Sequence, residues 1–262
     1  MKRLIRPIST FAIGLILCVN AFATTWSPQE FTCPIDNEKN TFQVVMSYGS
    51  YIYSWPSKYQ WLFWPSTDSP TFYMCKKCHL ATYMWDFDKL PKDKLVEIKK
   101  VLAGIKVSKQ FKEYNEIPIT ERLEVMEKVY SVLNKDEAWW ENFYRLKGYH
   151  YGKDGDTAKA AEARTRSLDL LKKKLADDKD TSSKKLLLYI SGAMRHFIGD
   201  DAGAISDLEK ALKTVYTEKD GKPDAMKNAE AALNERINDY LARIRSEKDK
   251  PRMFDRYSAD EH

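Results

Sequence analysis

Three cysteines lie beyond the first 23 residues of this 262-residue chain: Cys33, Cys75 and Cys78. In Cys75-Lys76-Lys77-Cys78 the spacing lets a tight turn aim two thiolates at one side of a tetrahedral ion. Cys33-Pro34-Ile35-Asp36, 42 residues earlier, reads as a second such turn with Asp36 where a fourth cysteine would stand. Carboxylate and imidazole are both zinc ligands, so three cysteines completed by either Asp36 or His79 form the expected metal site. Two other chemistries compete. Cys75 to His79 is literally C-x-x-C-H, the c-type haem attachment pattern, with both thiols on the porphyrin and His79 on the iron. Met46, Met74, Met84 or His150 would then be the distal ligand. Alternatively, Cys75 and Cys78 form an exchanging dithiol, or one of them is bridged to Cys33. A thioredoxin-like pair would sit in a βαβ unit, and the pattern contains none. The haem reading leaves Cys33 unused, whereas the metal reading takes all three cysteines.

Other chemistry is sparse. There is no phosphate-cradling glycine loop, nucleophile elbow or zinc-protease motif. Asp86, Asp88, Glu137 and Glu141 supply carboxylates without a spacing that fixes an acid–base pair. His150 and His196 lie on or beside apolar helical stripes, where a satisfied helix histidine is the ordinary reading. No catalytic residue is nominated, and an enzyme is not the expected class.

These residues must be positioned by a chain that begins with a leader. Met1 to Arg6 is cationic, Phe11 to Val19 is apolar, and Ala21-Phe22-Ala23 matches a small-x-small cleavage site. That is a secretory signal peptide, so export to a periplasm or medium is expected, with no membrane span after cleavage. Losing Lys2, Arg3 and Arg6 takes the formal charge from +5 to +2, which removes most of the case for a nucleic-acid partner. Residues 24–88 are then expected to form a small aromatic-rich, Cys-bearing β module. Phe42 to Met46 and Thr71 to Met74 read as its strands, between breaks at Pro56, Pro65 and Pro70.

From residue 89 to 246 the apolar period becomes helical. Stripes such as Leu95-Ile98-Leu102, Leu123-Met126-Tyr130 and Ala229-Leu233-Ile237-Tyr240 predict about seven helices, ahead of a loose charged tail over 247–262. An internal repeat of 44 residues relates Gly148 to Gly192, Gly155 to Gly199 and Ala160 to Ala204. The second copy, Gly192, Gly199, Ala204, Leu208 and Ala211, resembles a tetratricopeptide (TPR) repeat. The first departs from it at Arg164 and Ser167. The TPR resemblance implies an antiparallel array with a concave partner-binding face bearing Asn142, Arg145, Tyr149 and Lys153, joined by Tyr189 and His196.

Roughly residues 31 to 215 are similar to the bacterial family known as domain of unknown function 2225. That family pairs a Cys-Pro-x-Cys knuckle with a distant Cys-x-x-Cys-Gly knuckle, followed by an Asp-Phe pair and TPR-like helices. Matching positions are Cys33-Pro34, Phe42, Cys75, Cys78, Ala81, Asp86-Phe87, Leu188 to Gly192 and Gly199-Asp200. Asp36 and His79 are departures, standing for a cysteine and a glycine. The resemblance implies architecture: an α+β, mostly α chain with a zinc-ribbon-like module before the helical array. The function expected is an exported protein–protein interaction scaffold with a structural zinc; the alternative is an electron-transfer protein carrying haem c or a redox thiol pair.

Overall fold

The computed structural model describes residues 25–47, 59–177, 184–218 and 221–246. The expected leader, part of the aromatic run and the charged tail lie outside these residues. The fold is α+β and mostly helical (57% of the described residues), as expected.

Two antiparallel hairpins come first. β1 (Thr25–Thr32) pairs with β2 (Lys39–Ser47), and β3 (Phe72–Met74) pairs with β4 (Ala81–Tyr83). Side chains alternate across a strand, so Asn40 and Phe42 of β2 point inward together, and both are buried. Phe42 stacks on Tyr73 with centroids 4.1 Å apart and meets Phe87 edge-on at 4.7 Å. Tyr114 closes this aromatic core. Phe31, Phe42, Tyr73 and Phe87 carry much of the burial here, since the module has few aliphatics.

Seven α-helices follow among the described residues: α1 (Leu95–Leu102), α2 (Ile119–Tyr130), α3 (Glu137–Lys153), α4 (Thr157–Ala176), α5 (Lys184–Phe197), α6 (Asp201–Lys213) and α7 (Pro223–Arg245). None is long and apolar enough to cross a membrane. Asp136, Asp156 and Asp200 cap α3, α4 and α6 by accepting from backbone N–H groups three residues on. The 44-residue repeat is visible as two like helical pairs, α3 with α4 and α5 with α6. Gly155 and Gly199 make the turn in each, at φ +81° and +91°, where a side chain would be strained. A Cβ on Gly192 would lie 2.8 Å from Leu208, and one on Gly148 2.6 Å from Arg164, so both glycines permit close helix contact.

Two apolar cores result. One spans the hairpins and α1–α3, from Phe42 and Phe87 to Met126 and Phe143. The other joins α4–α7, with Tyr59 from the N-terminal region inserted into it. The expected division near residue 88 is therefore a change of element type, and a common core crosses it. Arg122 of α2 is a tie that sequence patterning did not single out. Its buried guanidinium donates to the Ser69 and Phe72 carbonyls at 2.9 and 2.5 Å, and desolvation lowers its pKa to about 10.

Candidate metal centre

Each hairpin tip is a knuckle, and the two knuckles are built alike. At the first, the Cys33 N–H donates to the Glu38 carbonyl (2.8 Å) and the Asn37 N–H returns to the Cys33 carbonyl (3.0 Å). At the second, the Cys75 N–H donates to Leu80 (2.9 Å) and the His79 N–H to Cys75 (3.0 Å). Asn37 and His79 occupy the same position, both left-handed, at φ 60° and 61°. The correspondence sets Asp36 in the place of Cys78.

The side chains meet accordingly. One donor atom each from Cys33, Asp36, Cys75 and Cys78 lies within 4.8 Å of all the others, so these four residues could hold a metal ion. Cys33 and Cys78 sulfurs are 3.5 Å apart, and Cys75 Sγ is 3.8 Å from the Asp36 oxygens. A tetrahedral zinc with bonds of about 2.3 Å to sulfur and 2.0–2.2 Å to oxygen would have edges of about 3.5–3.8 Å. The match is close. No sulfur is bonded to another; all three cysteines are free thiols.

The electrostatics also suit a cation. Hydrogen bonds from the Cys33 and Cys78 thiols, helped by the Lys77 and Cys78 backbone N–H groups, hold the Cys75 pKa down to about 2. The bond to Cys75 pushes Cys33 up to about 12, and Cys33 and Cys75 together push Cys78 upward. A bound cation would displace the remaining thiol protons. Asn40, fully inside, supports both knuckles: its amide donates to the Glu38 carbonyl (3.0 Å) and Cys75 Sγ (3.5 Å), while its oxygen accepts from the Lys76 N–H (2.9 Å). Such outer partners orient the ligands. Asn40 was missed at the sequence level; its signal was a polar residue on the inward face of β2.

His79 stands apart. Its left-handed backbone turns the imidazole out of the cluster and beside Phe111, with ring centroids 6.1 Å apart. Histidine tolerates this region better than most residues, which explains why it can stand at this turn. His79→Gly should therefore leave bound metal unchanged and shift stability by less than about 1 kcal/mol, as read by metal content and chemical denaturation.

A c-type haem does not fit these residues. The porphyrin would have to reach Cys75, which is buried against Cys33, Asp36 and Asn40, and His79 faces away. Of the distal candidates, Met74 and Met84 are packed in the core and Met46 is exposed. His150 is buried with Nε2 3.0 Å from the Ser66 carbonyl. Desolvation, first among its causes, lowers the His150 pKa to about 3. Its unfolded value is about 6.5. Unfolded chain thus takes up the proton first, and this stability contribution is complete above pH 6.5 and lost as pH falls toward 3. The loss is at most about 1.4 kcal/mol per pH unit. His150→Gln, which keeps a donor for Ser66, should flatten that slope in denaturation curves between pH 6.5 and 5.

The expected partner face requires correction. Arg145, Tyr149, Tyr189 and His196 are buried, while Asn142 and Lys153 remain exposed. The chain fills this groove itself, with the segment after residue 58. Arg145 donates to the Gln60 and Trp61 carbonyls (3.1 and 3.0 Å), and Arg164 donates to the Gln60 side chain (3.2 Å). Tyr59 donates to Asp239 and packs on Tyr240, and Trp61 lies edge-on to Tyr189 under the Arg236 guanidinium. Arg164 is the repeat equivalent of Leu208. The first repeat departs from its pattern at a residue that holds the inserted segment. Ser167, the other departure, donates to Glu141, which pairs with Arg145.

Protein-family models, curated proteins and solved structures give no match to this chain.

Proposed function

We propose that the protein is an exported scaffold for another protein, with a structural zinc held by Cys33, Asp36, Cys75 and Cys78. The observation that carries this reading is the pair of like knuckles with four donor atoms within 4.8 Å of one another, two of the separations being 3.5 and 3.8 Å. Three thiolates and a carboxylate suit zinc, and four protein ligands close the coordination sphere, as structural sites do and catalytic ones do not. The ion's role is to fasten two hairpins whose combined core is small. The positions of Cys33, Phe42, Cys75, Cys78 and Phe87 around that core support placing the chain beside the domain of unknown function 2225 family.

The scaffold role rests on the helical pairs, which offer large surfaces but no constellation for a reaction. Because the inner groove is taken by residues 59–66, the partner is assigned to outer surfaces. Val96 and Val215 are exposed there to 68% and 67%, which makes them suitable probes. The full-length chain with a photo-crosslinker at Val96 or Val215 should be recovered outside the cytoplasm, beginning at Thr24, with a discrete adduct from at least one position. An uncleaved cytoplasmic chain, or no adduct from either position, would contradict the reading.

A further inference from the structure

We propose that the cleft of about 290 Å³ walled by Tyr83, Trp85 and Trp139 binds a neutral saccharide, one sugar ring within it. Its size is at the low end of small-molecule pockets, roughly 300 Å³, which suits a ring and excludes a large cofactor. The walls are fixed. Trp139 stacks on Phe143 at 5.0 Å and 13°, packs on Tyr130 at 4.6 Å, and meets Tyr83 edge-on at 6.3 Å. Trp85 is different: it keeps 43% of its surface in solvent at the rim. Trp139 gives its faces to Phe143 and Lys135 and serves as a wall, so the half-exposed Trp85 indole is the electron-rich face for the C–H face of a sugar ring.

The polar groups specify a neutral, hydroxyl-rich ligand. Asp86 uses Oδ2 to accept from the Tyr130 hydroxyl at 2.6 Å, which leaves Oδ1 for a ligand donor. Asn142 accepts from Arg145 through Oδ1 at 3.0 Å, so its amide N–H₂ is the group left to donate. Lys135 brings its ammonium over the Tyr130 and Trp139 rings at 5.3 and 5.5 Å. That cation repels a cationic ligand from the same rings, and the Asp86 carboxylate repels an anion. Hydroxyl groups both donate and accept, and they can use Asp86, Asn142 and Lys135 together.

Isothermal titration of the metal-loaded full-length protein with three neutral trisaccharides tests this. The probes are trimers of β1,4-linked glucose, α1,4-linked glucose and β1,4-linked N-acetylglucosamine. We expect saturable binding of at least one, weakened roughly tenfold or more by Trp85→Ala. Asp86→Asn should weaken it as well, while keeping an acceptor for Tyr130. The Trp139 indole N–H resonance should shift on binding in the unaltered protein, a readout that needs no variant. No binding of any trimer, equal binding by folded Trp85→Ala, or binding of tetramethylammonium in place of the sugars would overturn the proposal.

Discussion

Cys75→Ser is expected to abolish metal binding and to unfold the two hairpins, at a cost of at least about 5 kcal/mol. Structural zinc contributes of the order of 10 kcal/mol in small domains, because the ion exists bound only in the folded state. Cys75 is also the most connected of the four ligands: buried, bonded to Asn40, and adjacent to both Cys33 and Asp36. The damage should be graded along the chain. The first core joins the hairpins to α1–α3, so those helices should lose protection in hydrogen exchange with the hairpins. The second core, formed by α4–α7, should outlast them and give a second unfolding transition. A single transition at the unaltered midpoint would show that the cluster contributes nothing to folding.

The second large effect concerns the filled groove. Arg164→Leu restores the residue found at the equivalent point of the second repeat, where Leu208 packs on Gly192. By repeat logic it should be harmless; here it should cost roughly 2–4 kcal/mol. It removes a buried guanidinium that donates to the Gln60 side chain (3.2 Å) and the Phe197 carbonyl (3.5 Å), and breaking such buried bonds is costly. Adding Gln60→Met takes away the side chain that Arg164 Nε serves and should recover part of the loss, while the Arg145 bonds to the Gln60 and Trp61 carbonyls are unchanged. Urea denaturation of the two single variants and the double variant measures the coupling. Strict additivity of the two changes would mean that Arg164 does not act through Gln60.

Most of the helices were legible because their apolar residues recur at period 3.6, a local property of sequence, although α5 and the second half of α3 are buried nearly all round. β2 and β3 were legible from their aromatic and β-branched residues. β1 was not, since Thr25–Thr32 contains Pro28, Gln29 and Glu30 and is a strand only through pairing with β2 beyond the first knuckle. β4 is three residues long and likewise follows from its knuckle. At the cysteine cluster, spacing left Asp36 and His79 as candidate fourth ligands. That Asp36 lies with the three cysteines and His79 does not follows from the left-handed backbone at residue 79, which is not written in spacing. The groove was misread for a related reason. Arg145 and Tyr189 stand where a repeat array would show a partner-binding face, but the contacts that bury them come from residues 59–61, more than 80 positions before Arg145. Arg164 was the available clue: a charged residue at an apolar point of the repeat signals a buried polar partner elsewhere in the chain.

Zinc-edge X-ray absorption on the full-length protein recovered from the exported fraction tests the central claim most directly. It should show one zinc per chain with three sulfurs at about 2.3 Å and one oxygen at about 2.0 Å, from Cys33, Cys75, Cys78 and Asp36. A sphere containing imidazole scattering in place of the oxygen, or the absence of stoichiometric zinc from folded protein, would contradict it.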